Sequence, residues 1–340
     1  MAKTNLIGLS KGDYKGAPTT LCQGCGHNSI LSQIISACYE MDIAPEDLVK
    51  FSGIGCSSKA PTYMLERTFG FNSLHGRMPA IATGAMLGDT TLTGIAMSGD
   101  GDSVSIGMGQ FKHIIRRNVP LAYIIANNGT YGLTKGQLSA TSEAGLALKK
   151  QGINEFDAID ICIEAMASNA TFVARSFAGD PKQVKTLIKA AMGHNGTAIL
   201  DIISPCVTFN NQDSSRHSYA WGREHYSSLH DMTFIPARDE ITIEDFEEGT
   251  SQDVTMHDGS IIRLKKLEKD YDPTDRMAAV QVLEEARAGN YLLTGLIYVD
   301  PDRPSLIDIL NLTDTPLNRL TEKELRPGRE TMQAINDAMF

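Results

Sequence analysis

The sequence predicts an α/β fold: a doubly wound, mostly parallel sheet over residues 1–210, followed by a C-terminal extension over residues 211–340. Three observations carry this expectation. Helix-like and strand-like segments alternate from residue 20 to residue 205. Turns rich in Gly, Asn or Cys follow the strand-like runs directly, where open α/β sheets place their ligands. Beyond residue 210 the alternation fades into polar and aromatic sequence with short strand-like pieces.

Taken in order, the spacing of Ile30, Ile34, Cys38 and Met41 predicts a helix near 28–41, and LVKFS a strand over 48–52. Small residues within 77–91 predict a helix that feeds the strand TGIAMS, 93–98. A GDG turn leads to a helix near 103–117 and the strand VPLAYIIAN, 119–127. A helix near 157–168, the strand TFVARS, a helix opened by Asp180-Pro181 and the strand TAILDIIS complete the alternating part. In the extension, ITIEDFEEGTSQDVTMHDGSIIRL reads as short strands joined by turns. PTDRMAAVQVLEEARAGN is a helix stopped near Gly289, and YLLTGLIYV is a final strand before a polar helical tail.

With 42% apolar residues, 340 residues suffice for a sizeable core. The formal net charge of −10 argues against nucleic-acid binding, and Arg116-Arg117 reads as a solvated helix face. The start MAKTNLIGLSKGDYKG lacks an apolar signal core, and no apolar run reaches membrane-spanning length, so a cytoplasmic location without membrane contact is expected. Thiols there stay reduced and available to metals.

The six cysteines divide by context. Cys38 shares a helical face with Ile30 and Ile34, and Cys162 one with Ile159, Ile163 and Met166, so both read as small core residues. Cys22 and Cys25 stand in the turn CQGCGH, Cys56 follows the run LVKFS, and Cys206 follows TAILDIIS. Four thiolates from three separated turns suit either a tetrahedral zinc or a 4Fe-4S cluster, and spacing does not choose between them.

Gly99-Asp100-Gly101-Asp102 ends a strand and opens a segment of small residues, which lets a diphosphate approach backbone N–H groups. Asp100 and Asn128, on the turns after two successive strands, offer the hard oxygens that Mg2+ requires.

SGDGDSVSIG and IIANNGTYGLTKGQLSATS, preceded by CQGCGH and LHGRMPAIATGAML, resemble the beta subunits of the 2-oxoacid:ferredoxin oxidoreductases, nearest the 2-oxoglutarate type, over roughly residues 18 to 230. The resemblance implies a thiamine-diphosphate-binding fold. It implies Mg2+ held by Asp100, Asn128 and the Thr130 carbonyl, with Gly99, Gly101, Asp102, Gly132 and Leu133 also lining the cofactor, and a 4Fe-4S cluster on Cys22, Cys25, Cys56 and Cys206. The family commonly has WCPGCG where this chain has Leu21 and Gln23, and often Pro where Ala140 stands.

The implied reaction is oxidative decarboxylation of a 2-oxo acid, preferably 2-oxoglutarate, with the acyl group passed to coenzyme A and electrons passed through the cluster to ferredoxin. An activating glutamate is expected on a separate alpha subunit, giving an (alpha-beta)2 assembly. His75, Arg77 and Lys135 are the candidate substrate-contacting residues, Lys135 for the distal carboxylate, and His27 is placed to tune the cluster. The competing readings are the same chemistry on pyruvate or a branched 2-oxo acid, and a non-catalytic, zinc-stabilised subunit that binds a nucleotide or a partner.

Overall fold

The computed structural model describes residues 3–149, 151–236, 251–266, 271–313 and 315–339. After a 3-10 turn (Lys11–Tyr14) come helix α1 (Gly26–Glu40), strand β1 (Leu48–Ser52), a short α2 (Cys56–Lys59), β2 (Phe69–Asn72), α3 (Met78–Gly88), β3 (Thr93–Gly99), α4 (Met108–Arg117) and β4 (Leu121–Asn127). Two small hairpins follow, β5 (Thr130–Tyr131) with β6 (Gln137–Leu138) and β7 (Ala147–Leu148) with β8 (Gly152–Ile153). Helix α5 (Ile161–Ala167), β9 (Phe172–Phe177), α6 (Pro181–Met192) and β10 (Thr197–Ile203) close the alternating part. The remainder holds α7 (Tyr219–Glu224), β11 (Tyr226–Ser228), β12 (His230–Ile235), β13 (Ser251–Thr255), β14 (Ile261–Lys266), α8 (Arg276–Ala288) and β15 (Leu292–Val299).

Eight strands form one sheet in the order β11-β15-β9-β10-β4-β3-β1-β2, and β12, β14 and β13 form a separate antiparallel sheet. Every pairing in the large sheet is parallel except β15 against β9. Parallel strands buried on both faces read as continuous apolar runs, as LAYIIAN in β4 does. Its successive residues alternate between two cores. Ala122, Ile124 and Ala126 join the layer of α1 and α6 with Cys38, whereas Leu121, Tyr123 and Ile125 join the layer of α4, α5 and α8 with Cys162.

The helix expected from residue 103 starts later. A π-helical turn occupies Gly101–Ile106 and the α-helix begins at Met108. Gly107 closes the turn against the Gly76 backbone, where a Cβ on Gly107 would lie 2.5 Å from the Asp102 carbonyl and 3.0 Å from the Gly76 Cα. In the extension, residues 251–255 and 261–266 are strands as the pattern suggests, while ITIEDFEEGT (241–250) lies outside the described residues. The final strand inserts between β9 and β11. Its sequence shows a buried strand but not its direction.

Candidate active site

Four crossover turns meet at the carboxyl edge of the large sheet, after β1, β3, β4 and β10, and the N-terminus of α1 faces the same edge. Cys25 is the N-cap of α1. The Gly26 N–H donates to the Pro205 carbonyl at 3.2 Å, which pins the CQGCGH turn against the turn carrying Cys206. The Thr208 hydroxyl donates to Cys22 Sγ at 3.5 Å. From the other side, Cys56 Sγ and Cys206 Sγ both lie 3.6 Å from where a Gly132 Cβ would stand. Cys22, Cys25, Cys56 and Cys206 thus line one cavity of about 110 Å3, with Lys59 on its wall.

Burial pushes the Cys25 thiol up to about 11, and the neighbouring sulfurs add to that shift. A thiolate there needs a cation. Among the described residues, no three His, Cys, Asp or Glu side chains gather tightly enough to hold a single metal ion. Cys38 and Cys162 are fully buried in the two cores, away from this edge.

A second cavity of about 80 Å3 adjoins the first, and Gly99, Asp100, Gly101, Asp102, Asn128, Thr130, Gly132 and Leu133 all line it. Asp100 is 1% exposed. Its Oδ1 accepts the Asn128 N–H at 3.3 Å, and its Oδ2 accepts the hydroxyls of Thr141 at 2.8 Å and of Ser139. Asn128 Oδ1 accepts the Thr130 N–H at 3.0 Å, and its carbonyl accepts Asn210 Nδ2 at 2.9 Å. Gly129, between them, has φ +67 and no room for a side chain, since a Cβ would sit 2.8 Å from His217 Nδ1. A buried carboxylate and an amide oxygen from adjacent turns, beside the glycine-rich Gly99–Gly101 segment, form a donor set of hard oxygens suited to a diphosphate-bound Mg2+.

Asp102 serves the scaffold. Its Oδ1 accepts the N–H groups of Gly76 at 2.8 Å and Ile54 at 3.3 Å, its Oδ2 accepts the Ser98 hydroxyl, and His75 Nδ1 packs against it. His75 lines the Asp100 cavity. Arg77 does not; it is exposed as the N-cap of α3. Lys135 is also exposed, at the tip of the β5–β6 hairpin with φ +80, next to Leu133 and Thr134 on the cavity wall. His27, Cys56, Asn128, Gly132 and Leu133 line both cavities and so form their common wall. Burial holds the His27 ring down to about 4, and its Nδ1 meets the Ser204 hydroxyl at 2.6 Å.

Sequence reasoning missed three contributors: Tyr131, Lys59, and the Ser139–Thr141 pair. The i, i+2 hydroxyls of LSATS were a readable signal for the pair, because Ser and Thr cluster in turns; here Ala140 and Thr141 form one, closed by the Ser142 N–H on the Ser139 carbonyl at 3.1 Å. Nothing in the chain marked Tyr131 or Lys59.

Residues 53–202 match the family described as thiamine pyrophosphate enzyme, C-terminal TPP binding domain, and residues 262–314 match the family for the C-terminal part of the pyruvate ferredoxin oxidoreductase beta subunit. A 2-oxoacid:ferredoxin oxidoreductase subunit beta from Saccharolobus solfataricus is 44% identical over 56% of this chain and 63% of its own length. The 2-oxoglutarate oxidoreductase subunit KorB of Mycobacterium tuberculosis is 40% identical, over 56% of this chain and 51% of its own length. The chain therefore spans less than two thirds of these relatives. A 2-oxoglutarate synthase subunit KorB from Methanocaldococcus jannaschii is 36% identical over 56% of this chain and 71% of its own length. Among solved structures, the 2-oxoglutarate:ferredoxin oxidoreductase from Magnetococcus marinus with 2-oxoglutarate, coenzyme A and succinyl-CoA bound is similar over 92% of each chain, with a TM-score of 0.73 and 31% identity.

Proposed function

Because the chain belongs to the beta subunits of the 2-oxoacid:ferredoxin oxidoreductases, we propose that it binds thiamine diphosphate with Mg2+ and one 4Fe-4S cluster and, with an alpha subunit, oxidatively decarboxylates 2-oxoglutarate to succinyl-CoA. The match of residues 53–202 to a thiamine pyrophosphate domain supports the first cofactor. Asp100, Asn128 and the Thr130 carbonyl would hold Mg2+. When bound, thiamine diphosphate supplies the electron sink for decarboxylation. The cluster, on Cys22, Cys25, Cys56 and Cys206, supplies one-electron steps toward ferredoxin.

The observation that carries this reading is the common wall between the two cavities, which sets the cavity lined by four thiols against the Asp100 site, with Cys56 lining both. A single zinc would need four sulfurs at about 2.3 Å from one ion. The four thiols share one cavity beside the proposed thiamine diphosphate site, and single-electron steps there call for a redox-active cluster, which zinc is not. Exposed apolar side chains next to the Asp100 cavity, Leu74 at 77% and Ile106 at 56%, support coverage by a partner polypeptide. In this reading the described residues of the extension 211–340 pack on the core, on that partner or on both. Among the described residues, no helix is long and apolar enough to cross a membrane.

The test is anaerobic purification of the complex with its alpha subunit, followed by iron, sulfide and zinc analysis and by assay against a panel of 2-oxo acids with coenzyme A and ferredoxin. Iron with acid-labile sulfide and highest kcat/KM on 2-oxoglutarate are expected. Zinc alone, or no turnover of any 2-oxo acid, would refute the reading; preference for pyruvate would correct the substrate.

A further inference from the structure

We infer that Thr141 is a positioning residue for Asp100: its hydroxyl hydrogen, with that of Ser139, anchors one carboxylate oxygen so that the other is presented to the cation. The inference rests on the reading above that Asp100 carries Mg2+.

Asp100 Oδ2 faces the hydroxyls of Ser139 and Thr141, whereas Oδ1 receives one backbone N–H at 3.3 Å. Two donors on one oxygen fix the carboxylate plane and leave Oδ1 with free lone-pair capacity toward the cavity that Asp100 lines. Thr141 has a single hydroxyl hydrogen, yet its Oγ1 lies 2.8 Å from Asp100 Oδ2 and 3.0 Å from Asn127 Oδ1. A third neighbour, Ser139 Oγ at 2.9 Å, already accepts the Thr141 N–H at 3.3 Å, which leaves Asp100 and Asn127 to compete for the hydroxyl hydrogen.

Residues behind Thr141 resolve that competition. Asn127 cannot turn its amide over, because Nδ2 donates to Asp201 Oδ1 at 3.0 Å and a flip would set oxygen against oxygen. Asp201 is itself held by Arg175 Nε at 2.8 Å. Asn127 Oδ1 then meets His217 Nε2 at 3.1 Å. His217 Nδ1 also faces Glu143 Oε2 at 3.2 Å. With a hydrogen on each ring nitrogen, His217 satisfies Glu143 and Asn127 together, and the Thr141 hydrogen is left for Asp100. Outer partners of this kind orient a metal ligand without touching the metal, and their loss weakens metal affinity by about 10- to 100-fold.

The test uses the full complex and measures the Mg2+ concentration that half-saturates thiamine diphosphate binding by calorimetry, together with the paramagnetic resonance spectrum of Mn2+ in place of Mg2+. Thr141→Val keeps the side chain's shape and removes the hydroxyl; it should raise the Mg2+ requirement about tenfold or more and broaden the Mn2+ signal. Thr141→Ser should restore both, and Ser139→Ala should act like Thr141→Val should the valine variant fold poorly. An unchanged visible spectrum reports an intact fold around the cysteines. If Asp100→Asn loses Mg2+-dependent binding while Thr141→Val and Ser139→Ala keep the parental requirement, the inference is overturned and the Mg2+ reading survives. Failure of Thr141→Ser to restore binding also overturns it. Parental Mg2+ dependence in Asp100→Asn overturns the reading and the inference together.

Discussion

Tyr131 occupies the space that a side chain on Gly101 would need. A Cβ on Gly101 would lie 2.4 Å from Tyr131 Cε1, and the Tyr131 hydroxyl donates to the Gly101 carbonyl at 3.1 Å. The hairpin after β4 is thereby keyed to the turn after β3, and the two turns hold Asn128 and Asp100.

Gly101→Ala should force the ring away and cost about 1–3 kcal/mol of stability. It should also weaken thiamine diphosphate binding. Pairing it with Tyr131→Ala should recover part of the lost stability, a non-additivity expected of groups in contact. Thermal melts of the single and double variants measure this; strict additivity would mean that the ring was never displaced.

Replacing Cys22, Cys25, Cys56 or Cys206 by Ala should deplete iron and sulfide in the anaerobically purified complex. Cys38→Ala and Cys162→Ala should retain both and lose only stability, since each leaves a small cavity in a core. Full iron retention in Cys206→Ala would remove that residue from the ligand set.

Lys135 stands exposed at a hairpin tip whose neighbours reach the Asp100 cavity. Lys135→Ala should lower kcat/KM for 2-oxoglutarate by about tenfold and affect pyruvate far less, if the lysine meets the distal carboxylate. An equal loss on every 2-oxo acid would assign the residue to the architecture of its loop.

Glu143 gives a pH prediction. Burial alone would raise its pKa, but the hydrogen bond and charge of His217 outweigh burial and hold the carboxyl down to about 2, against an ordinary 4.5. A depressed carboxylate contributes stability that is complete above the unfolded value and disappears as pH falls through the folded one. The stabilising effect should therefore be full above about pH 4.5 and lost toward pH 2. Melting temperatures of the parent and Glu143→Gln should differ at pH 7, draw together below about pH 4.5 and converge toward pH 2. A gap independent of pH would show that packing, not charge, holds Glu143 in place.

The alternating part was readable because its strands are buried on both faces and so appear as continuous apolar runs between helical periods. The shared edge of Cys56, Asp100, Asn128 and Cys206 was readable for the same reason, as each follows such a strand. By contrast β2, FGFN, is exposed along its length, so no apolar run announced it. The π-helical turn after Asp100 ends at a close approach of Gly107 to Gly76, residues distant in sequence, and no local period encodes that. Arg77 and Lys135 illustrate a further limit: charge and motif placed them near the cleft, but only backbone geometry decides that both point outward.

The antiparallel entry of β15 beside β9 bears on how the chain is made. The residues lining both cavities have all been translated by residue 209, yet β9, buried along its whole length, keeps one open edge until Leu292–Val299 emerges. A nascent chain halted in between presents an unprotected apolar strand, the template on which chains associate wrongly. Ribosome-bound intermediates should accordingly favour chaperone capture over that interval, and late assembly of the sheet, not of the cofactor edge, should limit the yield of folded protein.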